Sequence, residues 1–232
     1  MKLPPFVMPE NLRAASELQR ELAAQVVLAG DPSDAETFAA LDASHKREEA
    51  MVAAAVLWRQ QAARVVGVGL GAKDPSEVFA YVPGFLSFRE APVYLAALAE
   101  LPTAPDLLLV DGQGVAHPRA LGIAAHLGVH LGIPSIGVAK SLLYGKPEGE
   151  LAEERGSAVP LVAKGEQIGW VYRSRDRVKP LYVSPGHRVS MAGALAFVRA
   201  LPGKTKLPDP LRAAHNWAGR GRKEGLRGWL EP

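Results

Sequence analysis

Between Asp106 and Lys140 the chain reads DLLLVDGQGVAHPRALGIAAHLGVHLGIPSIGVAK, and no other stretch constrains the fold as much. Leu107, Leu108, Leu109 and Val110 form an apolar run short enough for a buried strand, and the run stops on Asp111. Gly112, Gln113 and Gly114 follow. A carboxylate where a buried strand ends, with glycines that let a ligand approach the backbone, suits the presentation of a metal ligand. Ala120–Leu131 has Leu121, Ala124, Ala125, Gly128 and Leu131 at helical spacing. A second apolar run, Ile133–Val138, ends on Ala139 and Lys140. The pattern predicts a β–α–β unit whose strands deliver an acid and a base to one sheet edge, where open α/β sheets keep their sites.

The flanking sequence supplies the rest of an α/β domain. Residues 10–27 suit an amphipathic helix with Leu12, Ala15, Leu18, Leu22 and Val26 along one side. Gly30-Asp31-Pro32-Ser33 breaks it. Thr37–Ala43, which carries Asp42, Met51–Trp58 and Arg64–Leu70 read as three strands joined by short polar segments that suit hairpins. Tyr81-Val82-Pro83-Gly84 has turn chemistry. Ser87 is placed to cap a helix beginning near Phe88, and Glu90 stands at capping-box spacing, so Glu90 reads either as a cap or as a metal ligand. Residues 145–165 look like a surface excursion, Gln167–Arg173 and Pro180–Ser184 like strands, and Pro185-Gly186-His187 like a turn. Ser190–Leu201 reads as a helix, and Leu207–Asn216 leads into a basic end.

Charge and composition narrow the class. A chain of 232 residues, 48% hydrophobic and 22% charged, fits one domain over residues 1–232. It has no cysteine, which removes disulfides and thiolate metal sites and suits the cytoplasm. No segment has the apolar core of a signal peptide or the length of a membrane span, so no membrane partner is expected. Net charge is only +3, but residues 203–232 hold Lys204, Lys206, Arg212, Arg220, Arg222, Lys223 and Arg227 against Asp209, Glu224 and Glu231. A basic tail of this kind favours a polyanionic partner, although solubility alone also produces such runs.

The segment VDGQGVAHPRALGIAAHLG, followed by IPSIGVAKSLLYG, resembles the signature of the endonuclease V family, repair nucleases that act on deaminated adenine (inosine) in nucleic acid. The resemblance spans residues 10–216. It implies a ribonuclease H-like mixed central sheet, three antiparallel strands and then parallel ones, flanked by helices. It implies a Mg²⁺-dependent cut (Mn²⁺ substituting) at the second phosphodiester bond 3′ to the lesion, leaving 3′-hydroxyl and 5′-phosphate ends. The partner implied is DNA containing deoxyinosine or other deaminated bases, with inosine-containing RNA as an alternative, and a monomer is the default.

By the same resemblance Asp42, Glu90 and Asp111 ligate the metal. Lys140 meets the scissile phosphate or polarises a water, and His215 assists near the metal; a helix-surface histidine is the plainer reading of His215. Tyr81 resembles the family's wedge, within a turn that contains Pro83, although the family often has a proline where this chain has Ala80. Gly84, Leu86, Gly112, Ile123 and Leu143 match the base pocket; on residue type alone they are turn glycines and core aliphatics. His117, Arg89 and Arg119 are candidate phosphate contacts, with His117 alternatively orienting the Asp111 loop, and His126 reads as a core histidine. Two other classes stay open: a different ribonuclease H-like nuclease, which leaves the YVPG turn unexplained, and an inosine-binding protein without cleavage, which metal-dependent nicking would exclude.

Overall fold

The computed structural model describes residues 2–46 and 49–231. Helix α1 (Leu12–Ala23) precedes the antiparallel strands β1 (Thr37–Ser44), β2 (Met51–Arg59) and β3 (Arg64–Lys73). Helix α2 (Leu86–Ala99) leads to β4 (Leu107–Val110), α3 (Ile123–Leu131) and β5 (Ser135–Ala139). The second half holds β6 (Lys146–Pro147), β7 (Ala158–Ala163), β8 (Glu166–Tyr172), β9 (Leu181–His187), α4 (Met191–Ala200), α5 (Asp209–Glu224) and β10 (Gly228–Leu230). Among the described residues these strands form one mixed sheet in the order β10-β3-β2-β1-β4-β5-β9-β8-β7-β6. The three antiparallel strands run into the parallel pairs β1–β4 and β4–β5, the ribonuclease H-like order expected.

Helices cover both faces, so the central strands are apolar on both sides. Phe38 and Ala40 of β1 pack with Leu107 and Leu109 of β4 and with residues of α4 and α5. Their neighbours Ala39 and Leu41 pack with Leu108 and Val110 beneath α2 and α3. Leu107, Leu108 and Leu109 are fully buried, each worth roughly 1.5–3 kcal/mol. This alternation has a consequence for the acids. Asp42 shares the parity of Phe38 and Ala40, and Asp111 that of Leu107 and Leu109, so both turn to the α5 side. The register places Leu41 beside Val110, so the next residues, Asp42 and Asp111, emerge at the same level.

Several local expectations are corrected. The first helix spans 12 residues within the expected 10–27, and it buries Ala15 and Gln19 while Leu12 stays exposed. Ser87 does not cap α2: Phe85 is the N-cap residue, without a side-chain cap bond, and Ser87 lies inside the helix, hydrogen-bonded to His126. Helix α3 starts at Ile123 rather than Ala120, because Ala120 takes a positive φ and Gly122 an extended backbone. The presumed excursion at 145–165 contributes β6 and β7, and Pro185-Gly186-His187 continues β9 instead of turning. That region pairs irregularly with β5, which hides it from a simple alternation pattern.

The basic end is not a loose tail. Helix α5 packs on β1 and β2, and β10 pairs with β3, where the Trp229 ring lies over Gly67. Trp217 packs against the core and carries Arg220 over its ring at 4.4 Å.

His126 is a satisfied core histidine, as expected. Its Nδ1 lies 3.1 Å from Ser87 Oγ, and Phe6 and Phe88 flank the ring at 5.2 and 5.1 Å. Burial, with His130 nearby, pushes its pKa down to about 3, and burial and Arg119 push that of His117 down to about 4. Both rings bind fewer protons folded than unfolded, so their contribution is complete above about pH 6.5 and is lost as pH falls toward the folded values. Each ring then adds roughly 1.4 kcal/mol per pH unit to the acid slope. Chemical denaturation from pH 7 to pH 4 should show His126→Phe losing stability less steeply than the wild type by about that amount. Equal slopes would mean that His126 is protonated inside the fold.

Candidate active site

Asp42, near the end of β1, and Asp111, just beyond β4, stand side by side on the α5 face, and α5 brings His215 to them across the sheet. Asp42 Oδ2 accepts a hydrogen bond from His215 Nδ1 at 2.8 Å, and Asp42 Oδ1 accepts one from the Ala43 N–H at 2.8 Å. Lys140, at the end of β5, places Nζ in contact with Asp111 Oδ2 and 3.8 Å from Asp42 Oδ2. Asp42, Asp111, Lys140 and His215 thus meet as the sequence reading expected, although His215 lies 173 residues from Asp42 along the chain.

Glu90 sits in the first turns of α2, partly buried and close enough to feel both aspartates. Burial raises its pKa to about 8, and the charges of Asp42 and Asp111 add to the effect. Asp111 is raised to about 6, first by burial and then by Asp42, against the pull of Lys140. Burial alone would lower the Lys140 pKa, but Asp111 and Asp42 outweigh it and hold the ammonium charged. The cluster therefore carries more negative charge than Lys140 balances. Its donors are hard carboxylate oxygens, the kind that Mg²⁺ selects. Among the described residues no group of three or more His, Cys, Asp or Glu side chains is drawn together closely enough to hold an ion. The donors fit such a cation in kind, and Lys140 and His215 now occupy oxygens of the two aspartates.

A cavity of about 380 Å³ opens beside the cluster, with Asp111 and Lys140 in its lining. One wall is the turn before α2, with Tyr81, Pro83, Gly84 and Leu86; the other is formed by Gly112, Ile123 and Leu143. All of the residues matched to a base pocket by resemblance therefore line one space. Tyr81 is 67% exposed at the rim, and Leu143 and Leu86 are also exposed. Gly84 takes φ +81°, which favours glycine. At Gly112 a Cβ would lie 2.4 Å from Ile123 Cγ2, so the absence of a side chain lets Ile123 form the cavity floor.

The three candidate phosphate contacts are engaged within the protein. Arg89 Nη1 donates to the Phe79 carbonyl at 2.9 Å. His117 Nδ1 accepts from the Arg119 N–H at 3.2 Å, which leaves the proton on Nε2, 3.2 Å from the Gly84 carbonyl. Arg119 Nη2 donates to the same carbonyl at 2.7 Å, and its guanidinium lies 4.4 Å from the centre of the Phe85 ring. His117 thus orders its own loop after Asp111, through the Arg119 N–H, and ties that loop to the turn at Gly84.

Three contributors escaped the sequence reading. Gln19, fully buried on α1, donates from Nε2 to the Gly84 carbonyl at 3.0 Å. Gln113 lines the cavity and donates to the Ser141 carbonyl at 3.0 Å, and Ser184 Oγ accepts from the Gly114 N–H at 2.9 Å. The only signal for Gln19 was its position four residues after Ala15, on the buried side of a helix.

The endonuclease V family model matches residues 20–216. An endonuclease V of Thermus thermophilus is 58% identical over 224 residues, covering 96% of this chain and 99% of the relative. The crystal structure of endonuclease V from Streptomyces avermitilis superposes with a TM-score of 0.87 at 40% identity, covering 95% of this chain and 97% of that one. The crystal structure of Ciona intestinalis endonuclease V in complex with a 24mer DNA containing an inosine followed by a ribo-adenosine superposes at 0.78 and 25% identity, covering 90% and 97% of the two chains. With its sequence matched from the end of the first helix into the last, and its acids and pocket gathered at one sheet edge, this chain belongs to the endonuclease V family.

Proposed function

We propose that this protein is a Mg²⁺-dependent DNA repair endonuclease that reads inosine and hydrolyses the second phosphodiester bond 3′ to it, leaving 3′-hydroxyl and 5′-phosphate ends. The observation that carries the reading is the shared lining: Asp111 and Lys140 belong both to the acidic cluster and to the cavity beneath Tyr81. A base held in that cavity brings its own strand past the carboxylates. The Ciona relative bound to inosine-containing DNA supports this choice of ligand.

The chemistry follows from the residues. Tyr81, exposed at the rim, fills the gap that an extruded base leaves in the stack, replacing part of the few kcal/mol lost on unstacking. Gly84, Gly112 and the neighbouring backbone leave room for the ring, while Leu86, Ile123 and Leu143 close on its faces. Asp42, Asp111 and Glu90 would hold Mg²⁺, with Mn²⁺ as a substitute. When bound, the ion supplies an activated water and neutralises charge on the phosphate. Lys140, kept charged by its acids, meets the non-bridging phosphate oxygens, and His215 holds a proton at Nδ1 against Asp42.

On a duplex with one inosine, nicking should appear one nucleotide beyond the inosine's own 3′ linkage in Mg²⁺ and vanish in EDTA. The same assay with a ribonucleotide after the inosine tests the RNA alternative. Cutting that ignores inosine would point to another ribonuclease H-like nuclease, and binding without cutting to a reader of inosine.

Asp111→Ala should cost more than about 10²-fold in nicking rate while leaving inosine binding, read by gel shift, largely intact. A normal rate in that variant would remove the metal site from the reading. Tyr81→Ala should lower the preference for inosine over undamaged duplex by roughly tenfold, the scale of one lost base–aromatic stack, while leaving the concentration of Mg²⁺ needed for half-maximal rate unchanged.

A further inference from the structure

The Gly84 carbonyl receives three donors from two elements outside its own turn. Gln19 Nε2 reaches it from α1 at 3.0 Å, and His117 Nε2 and Arg119 Nη2 reach it from the loop after β4 at 3.2 and 2.7 Å. Gln19 Oε1 also accepts from Arg119 Nε. The amide is both donor and acceptor, so it closes a ring: Arg119 to Gln19, Gln19 to Gly84, Arg119 to Gly84. A glutamate there could only accept, and a lysine could only donate.

The location of this ring is what gives it a function. The Tyr81–Leu86 turn forms one wall of the cavity, and the loop that carries His117 faces it. Among the described residues the turn's other ties are few: the Phe85 N–H bonds to the Val82 carbonyl within it, Arg119 lies 4.4 Å over the Phe85 ring, and Arg89 holds Phe79 before it. The His117 and Arg119 ties run to Gly84 from the loop that faces it, and Gln19 braces both Arg119 and Gly84 from α1, so together they set the width of the slot. A flat base is gripped only when both faces lie about 3.5–4.0 Å from their neighbours, and contact energy falls steeply with a gap of a fraction of an ångström.

We infer that Gln19 is a positioning residue for base discrimination, setting the Tyr81–Leu86 wall through Gly84 and Arg119; this rests on the proposed reading of the cavity as an inosine pocket. Gln19 touches neither the cavity nor the acids, so it acts through the wall alone. Loss of its amide loosens the slot without altering the carboxylate cluster.

The test uses Gln19→Met, which keeps volume and removes both hydrogen bonds, Gln19→Glu, which keeps the Arg119 pair and removes the donor to Gly84, and exposed Arg13→Ala as a control on α1. Two readouts are taken on the full chain. Hydrogen exchange at residues 81–86 should be faster in Gln19→Met and Gln19→Glu and unchanged in the control. The ratio of kcat/KM for inosine duplex to that for undamaged duplex should fall about tenfold in Gln19→Met, the scale of one lost buried hydrogen bond, chiefly through KM, with kcat on inosine duplex nearly constant. Unchanged exchange in both variants overturns the clamp. Faster exchange with an unchanged ratio overturns its role in discrimination. A fall in kcat matching the fall in kcat/KM overturns action through the wall alone. A wild-type protein without preference for inosine overturns the pocket reading, and this role of Gln19 with it.

Discussion

The structure depends on a buried parallel pairing of β1 with β4 that runs apolar to its last pair, Leu41 and Val110, and then delivers two carboxylates at the same level and on the same face. Parity fixes the face and register fixes the level, so a slip of one residue in either strand would turn one acid under α2 and α3 instead of toward α5. The hydrophobic packing that holds Phe38, Ala40, Leu107 and Leu109 against α4 and α5 therefore also aims Asp42 and Asp111. Stability and chemistry are served by the same alternation. The cost is electrostatic: Asp111, and Glu90 beside the pair, are both pushed toward their protonated forms. Lys140 and His215, in contact with Asp111 and Asp42, offset part of that cost.

Much of this was legible in the sequence because the informative residues sit where periodicity changes. Asp111 and Lys140 each end an apolar run, and Asp42 lies near the end of another, so their place at a strand end needs no long-range knowledge. His215 was different. Nothing local distinguishes it from a surface histidine on a basic helix, and only the packing of α5 across β1 shows its partner. Glu90 was ambiguous because Ser87 and Glu90 have capping-box spacing; the fold removes the cap reading by giving Ser87 to His126 and starting α2 at Leu86, two residues before Phe88. Strand β9 was cut short at Pro185 because proline and glycine signal turns, yet an irregular register accommodates both. Gln19 was overlooked because a polar residue on a helix is first assigned to water, and its partners lie 65 and 100 residues away.

The cavity shows how much of a pocket can be made by omission. Gly112 makes way for Ile123, and Gly137, with no Cβ, lets the loop after β4 lie within 2.3 Å of where that atom would be. The turn wall is shaped by a left-handed glycine and held by donors from elsewhere. Such a site is specified mainly by backbone approach, and motif matching finds it well only when the glycines themselves are part of the motif.

The distance along the chain between Asp42 and His215 has a temporal meaning. Strand β1 is made early, but the helix that completes its acidic cluster lies 173 residues later. At synthesis rates of roughly 5–20 residues per second, that interval is on the order of 10–35 s. During it the nascent chain holds Asp42 without its histidine and lacks the cover of α5 over β1 and β2. A chain built in this order cannot complete its acidic cluster on the ribosome until α5 has emerged.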